Sequence, residues 1–274
     1  GSNAHLLSSE MATHLTGRHI PFLLLPFSFR EYLRVLEREL TDVEKEEALR
    51  TYCRQGGFPE PLLYEINRRD YLGNLIQAVL YKDIVKRFRI RAVQGLEDLA
   101  RYLFSNIARE YSFRTLTKVT RCKSHHTVEK YVRFLEEAFL FFSLTKFSYK
   151  VKEQVSSNKK IYCIDNGLVE SAGFQLSPDW GRLYENLVAI ELKNIAARDK
   201  SEIFFWKSKE QEEVDFVIKE GLAVSQLIQV CLDLSRPATK NREIRALIKA
   251  AKALRCDNLL ILTNDMEKEE TVEW

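Results

Sequence analysis

From about residue 176 the apolar residues change their period twice. RLYENLVAIELKNIAARD repeats them at helical spacing, EIFFWKS, EVDFVIKE and SQLIQVCLDL run as strands, ATKNREIRALIKAAKAL returns to a helix, and NLLILT is a last strand. An αβββαβ order with strands this apolar predicts a mixed sheet covered on both faces, hence an α/β domain. One residue disturbs the pattern. LIQVCLDLS, residues 227–235, reads as a doubly buried strand, yet it carries the amide of Gln229 two places before the thiol of Cys231. Strand alternation sets Val214, Phe216 and Ile218 on one face and Asp215 with Val217 on the other. In the next strand Leu227, Gln229 and Cys231 share a direction. If the strands are neighbours, Asp215 and Gln229 converge, and Glu185, one turn before Ala189 on the preceding helix, reaches the same spot.

The chain of 274 residues exceeds one ordinary domain. Residues 28–93 read as helical throughout. TDVEKEEALRTYCRQ carries a capping box, Thr41 with Glu44, and GGFPEP at 56–61 supplies a left-handed turn and a proline for the next helix. Residues 94–172 follow another order: a helix at about 95–110, the short helix RTLTKVT, a turn, and SHHTVEKYVRFLEEAFL. In the last of these Ser124 caps and Val128, Tyr131, Leu135 and Ala138 share a face. FFSLTKFSYK and KKIYCID then flank a polar tip, VKEQVSSN, expected to be flexible. Three helices and a β-hairpin are the layout of a winged helix-turn-helix. Residues 1–27 hold a helical pattern and a short strand-like run that cannot bury their apolar sides alone, which predicts a fragment of something larger. The opening Gly-Ser-Asn-Ala reads equally as native chain or as a scar of expression.

Charge is uneven along the chain. Lys82 to Ala172 holds 18 Lys and Arg against 10 Asp and Glu, within a total of 42 against 39. A basic segment of this kind is a candidate for a polyanion. Arg121 and Lys123 lie in the turn before the second helix of the pair, and His125, His126, Lys130 and Arg133 lie on or near its exposed side, where they can neutralise phosphates while the helix enters a major groove. Duplex DNA is the partner this predicts. Glu129, Glu136 and Glu137 dilute the basic face, and a protein-binding winged helix remains the alternative. Adjacent histidines diverge on a helix, so His125 and His126 are not read as metal ligands. Cys53, Cys122, Cys163, Cys231 and Cys256 are scattered singly, without a zinc or disulfide pattern, as suits a reducing cytoplasm. IPFLLLPFSF is too short, and too interrupted by proline, to span a membrane.

Glu185 on a helix, Asp215 on a strand, and Gln229-x-Cys231 on the next strand resemble the pattern of the PD-(D/E)XK nuclease-like fold: a helix Glu, a strand Asp, then Glu or Gln, any residue, and Lys. Taken together, TGRHIPFLLLPFSFREYL, QGGFPEPLL, LYENLVAIEL, EVDFVI and IQVCLDL resemble, in this order, the C-terminal part of bacterial and archaeal AAA-type ATPases that end in such a domain. The resemblance covers nearly the whole chain. It implies a multidomain α+β protein: residues 1–27 the end of the ATPase core, 28–93 a lid-like helical segment, 94–172 the winged helix-turn-helix, and 173–274 the nuclease-like domain. It also implies Mg²⁺ as cofactor, held by Asp215 and Gln229 with Glu185 nearby, to polarise a phosphodiester and lower the pKa of a bound water. Cys231 departs from the pattern, because a thiol supplies no positive charge and a thiolate would repel phosphate. The expected site is therefore degenerate. Asn3 matches a sensor position, and Arg18 the arginine that reaches the nucleotide of a neighbouring subunit, which makes a second copy of the chain a candidate partner. The sequence holds no GxxxxGK[ST], so ATP is expected only in a longer parent that supplies the missing ATPase core. Two other readings stay open: an active Mg²⁺-dependent DNA endonuclease, and a non-catalytic protein-interaction module.

Overall fold

Capping chemistry sets where the first helices begin. In the structure, a computed structural model that describes residues 23–122, 124–172, 178–264 and 267–271, Ser28 opens α1 (Phe29–Val35) and Thr41 opens α2 (Asp42–Gln55) with reciprocal bonds. Glu44 accepts from the Thr41 amide at 2.8 Å and its own amide donates back to Thr41 Oγ1 at 3.4 Å. Arg38 and those Thr41 bonds hold the Glu44 carboxyl at about 2. Next come α3 (Glu60–Leu63) and α4 (Arg68–Ala78), which continues as a π-helical stretch, Val79–Val85.

Helix α5 (Val93–Ser105) is followed by β1 (Arg109–Tyr111), α6 (Phe113–Val119), α7 (His125–Glu137), β2 (Phe141–Thr145), α8 (Val151–Ser156), β3 (Lys159–Cys163) and α9 (Asn166–Ser171). The three strands pair in the order β1-β3-β2. Two features differ from the sequence reading. The polar tip VKEQVSSN contains α8, and β1 lies between the first two helices, three residues long and too short to leave a period-two signature.

Among the described residues the chain is mixed α/β, with eleven α-helices and two sheets. It divides into two compact units, one drawn from Gly1–Ser143 and Ile161–Pro178, the other from Leu144–Lys160 and Asp179–Trp274. β2 and β3 therefore each carry the chain across the boundary. No helix of the described residues is long and apolar enough to cross a membrane.

The first unit is fastened by a buried carboxylate. Asp165 Oδ2 accepts from the Gly57 amide at 2.7 Å and Oδ1 from the Gly167 amide at 2.8 Å, while Asn166 donates to the Cys53 carbonyl at 2.6 Å. Gly56 sits at φ 74°, and a Cβ there would lie 2.0 Å from Asp165 Oδ1, so the turn requires glycine on both counts. Burial pushes the Asp165 carboxyl up to about 6, against the backbone amides and Arg68, which pull it down.

The second unit contains α10 (Trp180–Asp199), β4 (Glu202–Lys207), β5 (Glu213–Glu220), β6 (Ala223–Val230), α11 (Pro237–Leu254) and β7 (Leu259–Leu262). Its sheet runs β4-β5-β6-β7, antiparallel except for the parallel β6–β7 pair that α11 connects. Val214 to Ile218 are buried in succession, so both faces of β5 are covered. Beneath α11, Ala246, Leu247, Ala250 and Leu254 pack with Val214, Val217, Leu227 and Trp206.

The Asp165 clamp predicts a pH dependence of a definite sign. Between the ordinary carboxylate pKa of 3.8 and about 6 the folded chain binds a proton that the unfolded chain has released. This contribution is full below the ordinary value and is lost as pH rises through about 6, roughly 3 kcal/mol in all. Thermal denaturation from pH 4 to 7 of the wild type and of Asp165→Asn should give a difference that changes in this direction and levels off above pH 6.

Candidate functional site

Strand register explains the buried amide. The antiparallel β5–β6 ladder pairs Phe216 with Ile228, and just beyond this pair Asp215 and Gln229 meet through a side-chain bond. The Asp215 amide donates to Gln229 Oε1 at 3.1 Å, and Gln229 Nε2 donates to Glu243 Oε2, on α11, at 2.8 Å. Glu243 in turn accepts from Arg242. The Asp215 carboxylate receives the Val230 amide on Oδ2 at 3.0 Å. Both ends of the Gln229 amide are thus engaged, the oxygen within the sheet and the nitrogen by α11, which is what lets a polar side chain 7 % exposed remain there.

A lysine that the motif does not include stands at the centre. Lys160, the second residue of β3, is 2 % exposed, and its ammonium lies 2.9 Å from Glu185 Oε1, 2.5 Å from Glu213 Oε1 and 3.0 Å from Asp215 Oδ1. The Phe205 ring lies under it, its centroid 5.9 Å away. Lys207 approaches Glu213 from the other side at 3.6 Å. A buried ammonium is stable only with such company. Glu185 and Asp215, expected to converge, do so on this ammonium. Glu213, Glu243 and Lys160 were not anticipated, and the one hint was a lysine inside the apolar run KKIYC.

Cys231 lies just past the end of β6 and is half-buried, with Sγ 3.5 Å from the Asp233 carbonyl. Burial, then the charge of Glu243, pushes its thiol above the usual range, so it is neutral at pH 7. Asp215 and Gln229, the expected Mg²⁺ ligands, have each oxygen named above occupied by an N–H or ammonium donor, and this donor set does not fit a divalent ion. Among the described residues no three His, Cys, Asp or Glu side chains form a metal-binding group.

In the first unit α7 buries Val128, Tyr131, Val132 and Leu135 and leaves His125, His126, Lys130 and Arg133 exposed. Thr127 donates its amide to Ser124 Oγ at 3.2 Å, which caps the start of the helix. Arg121 pairs with Asp98 at 3.4 Å, Arg133 with Glu137 at 3.5 Å, and His126 lies 4.0 Å from Glu129. His125 Nδ1 is 3.0 Å from Thr117 Oγ1. Lys123, Asn3 and Arg18 lie outside the described residues. A groove lined by Gly73, Leu80, Glu97, Arg101 and Phe104 also belongs to this unit and includes none of the carboxylates around Lys160.

The chain is similar to two families of unknown function. Residues 46–178 match a domain of unknown function, DUF8612, and residues 180–273 match another, DUF4143. The second match starts where α10 starts and covers Glu185, Asp215, Gln229 and Cys231. An uncharacterized protein of Methanocaldococcus jannaschii, MJ1544, is 33 % identical over 99 % of this chain and 63 % of its own length. An uncharacterized protein of Haemophilus influenzae is 29 % identical over 81 % of this chain and 59 % of its own. The chain thus spans about three-fifths of the curated relatives it matches. No solved structure matches it significantly.

Removing the Lys160 charge would leave three carboxylates facing one another with little water. Lys160→Met, which keeps most of the stem, should destabilise the fold by about 3–5 kcal/mol in urea titrations at pH 7. Lys207→Met, at a more open pair, should cost about 1 kcal/mol or less.

Proposed function

We propose that the chain is the C-terminal part of an AAA-type ATPase, in which residues 94–172 form a winged helix-turn-helix that binds duplex DNA and residues 173–274 form a PD-(D/E)XK nuclease-like domain that does not cut it. The observation that carries the DNA reading is the two-sided character of α7: four apolar side chains on the buried side, and His125, His126, Lys130 and Arg133 in solvent on the other. Helix, strand, helix, helix, strand, strand, with the short α8 inserted between the last two strands and a sheet order of β1-β3-β2, supports the winged-helix assignment. Phosphates compete with Glu137 for Arg133 and with Asp98 for Arg121, and exposed pairs of this kind yield readily because each contributes little.

The reading of the last domain rests on its chemistry. Gln229 spends its oxygen on the Asp215 amide, and Cys231 offers a neutral thiol where an ammonium would assist an attacking water. ATP would belong to a longer parent, since this sequence has no phosphate-binding loop.

Fluorescence anisotropy with a labelled duplex tests the proposal. Binding should weaken with salt, the slope of log K against log salt being about −0.9 per phosphate contact, and Lys130→Ala with Arg133→Ala should reduce its size by about 2. Absent binding, or binding indifferent to salt, contradicts the DNA reading and favours a protein-interaction module. Supercoiled plasmid with Mg²⁺ or Mn²⁺ should stay intact. Cutting that Asp215→Ala abolishes would establish the endonuclease instead.

A further inference from the structure

The residues that the resemblance assigns to a divalent ion do not fit one, and what stands among them is a cation of the chain itself. We infer that Lys160 is a resident counter-ion that occupies the cation position of Glu185, Glu213 and Asp215, so that the domain folds and persists without metal. This rests on the reading of the domain as non-cutting and adds why it needs no ion.

Three observations meet here. The ammonium contacts three carboxylates from three places in the chain, α10, the first residue of β5 and the third residue of β5, all within 2.5–3.0 Å. It is 2 % exposed, so it is held in the cluster rather than resting against it from solvent. The second oxygen of Asp215 is already bonded to the Val230 amide, which leaves Oδ1 as the atom turned to the cation. The 2.5 Å distance to Glu213 falls within the about 2.3–2.6 Å of calcium coordination, those to Glu185 and Asp215, 2.9 and 3.0 Å, are a few tenths of an ångström longer, and all three lie outside the about 2.0–2.1 Å that magnesium requires. Without the ammonium, the same oxygens would need only a small inward movement to hold Ca²⁺.

The test follows thermal unfolding of the full chain in EDTA and in millimolar Ca²⁺, for the wild type, Lys160→Ala and Lys160→Ser. The wild type should have one Tm in both media. Each variant should unfold at lower temperature in EDTA and recover several degrees in Ca²⁺, and Lys160→Ala combined with Asp215→Asn should need at least tenfold more Ca²⁺ for the same rise. If the single variants do not fold in EDTA, the inference requires that Ca²⁺ restore their folded circular dichroism. Variants that show no response to Ca²⁺ in either form overturn it, as does a wild type whose Tm rises with Ca²⁺. Plasmid cutting by the wild type would instead overturn the non-cutting reading beneath it, so the two failures are told apart.

Discussion

The buried ammonium of Lys160 is the contact on which the second unit depends. Three carboxylates close together repel one another, and each would lose hydration on burial. One ammonium at 2.5–3.0 Å from all three offsets both effects. The Coulomb gain alone does not make such a cluster more stable than an apolar core of equal volume, because desolvation takes much of it back. What it supplies is specificity of arrangement. β3, α10 and β5 must bring Lys160, Glu185, Glu213 and Asp215 to one point, and any other register leaves a charge buried without a partner.

The neighbouring bonds extend this arrangement across the sheet. Asp215 passes from Lys160 to the Val230 amide, Gln229 from the Asp215 amide to Glu243, and Glu243 to Arg242 at the surface of α11. A strand pair, two helices and β3 are therefore joined by polar bonds. The first unit uses a similar device on a smaller scale. Asp165 receives amides from Gly57 and Gly167, so one carboxylate both fixes the 56–57 turn and caps α9.

Much of this was legible in the sequence where the signal was local. The αβββαβ order follows from periodicity over a few residues, and the Thr41–Glu44 box and the Ser124 cap from spacings of three, but strict alternation along β5 does not hold: a register shift against Phe204 and Trp206 brings Val214 and Val217 into the same core. Lys160 was not legible in this way. It reaches Asp215 from 55 residues away, and in KKIYC the period does not say which lysine faces the carboxylates. Likewise GGFPEP reads as a turn, but the carboxylate that clamps it lies 108 residues further on. The helix α8 was hidden by composition, since VKEQVS carries as much polar character as a loop and leaves Val151 and Val155 exposed.

The most direct measurement is a crystal soaked with Mn²⁺ and examined by anomalous scattering. The account predicts no manganese peak among Glu185, Glu213 and Asp215, with density for the Lys160 ammonium within hydrogen-bonding distance of all three. A manganese peak at that position, with the Lys160 side chain turned away, would contradict it.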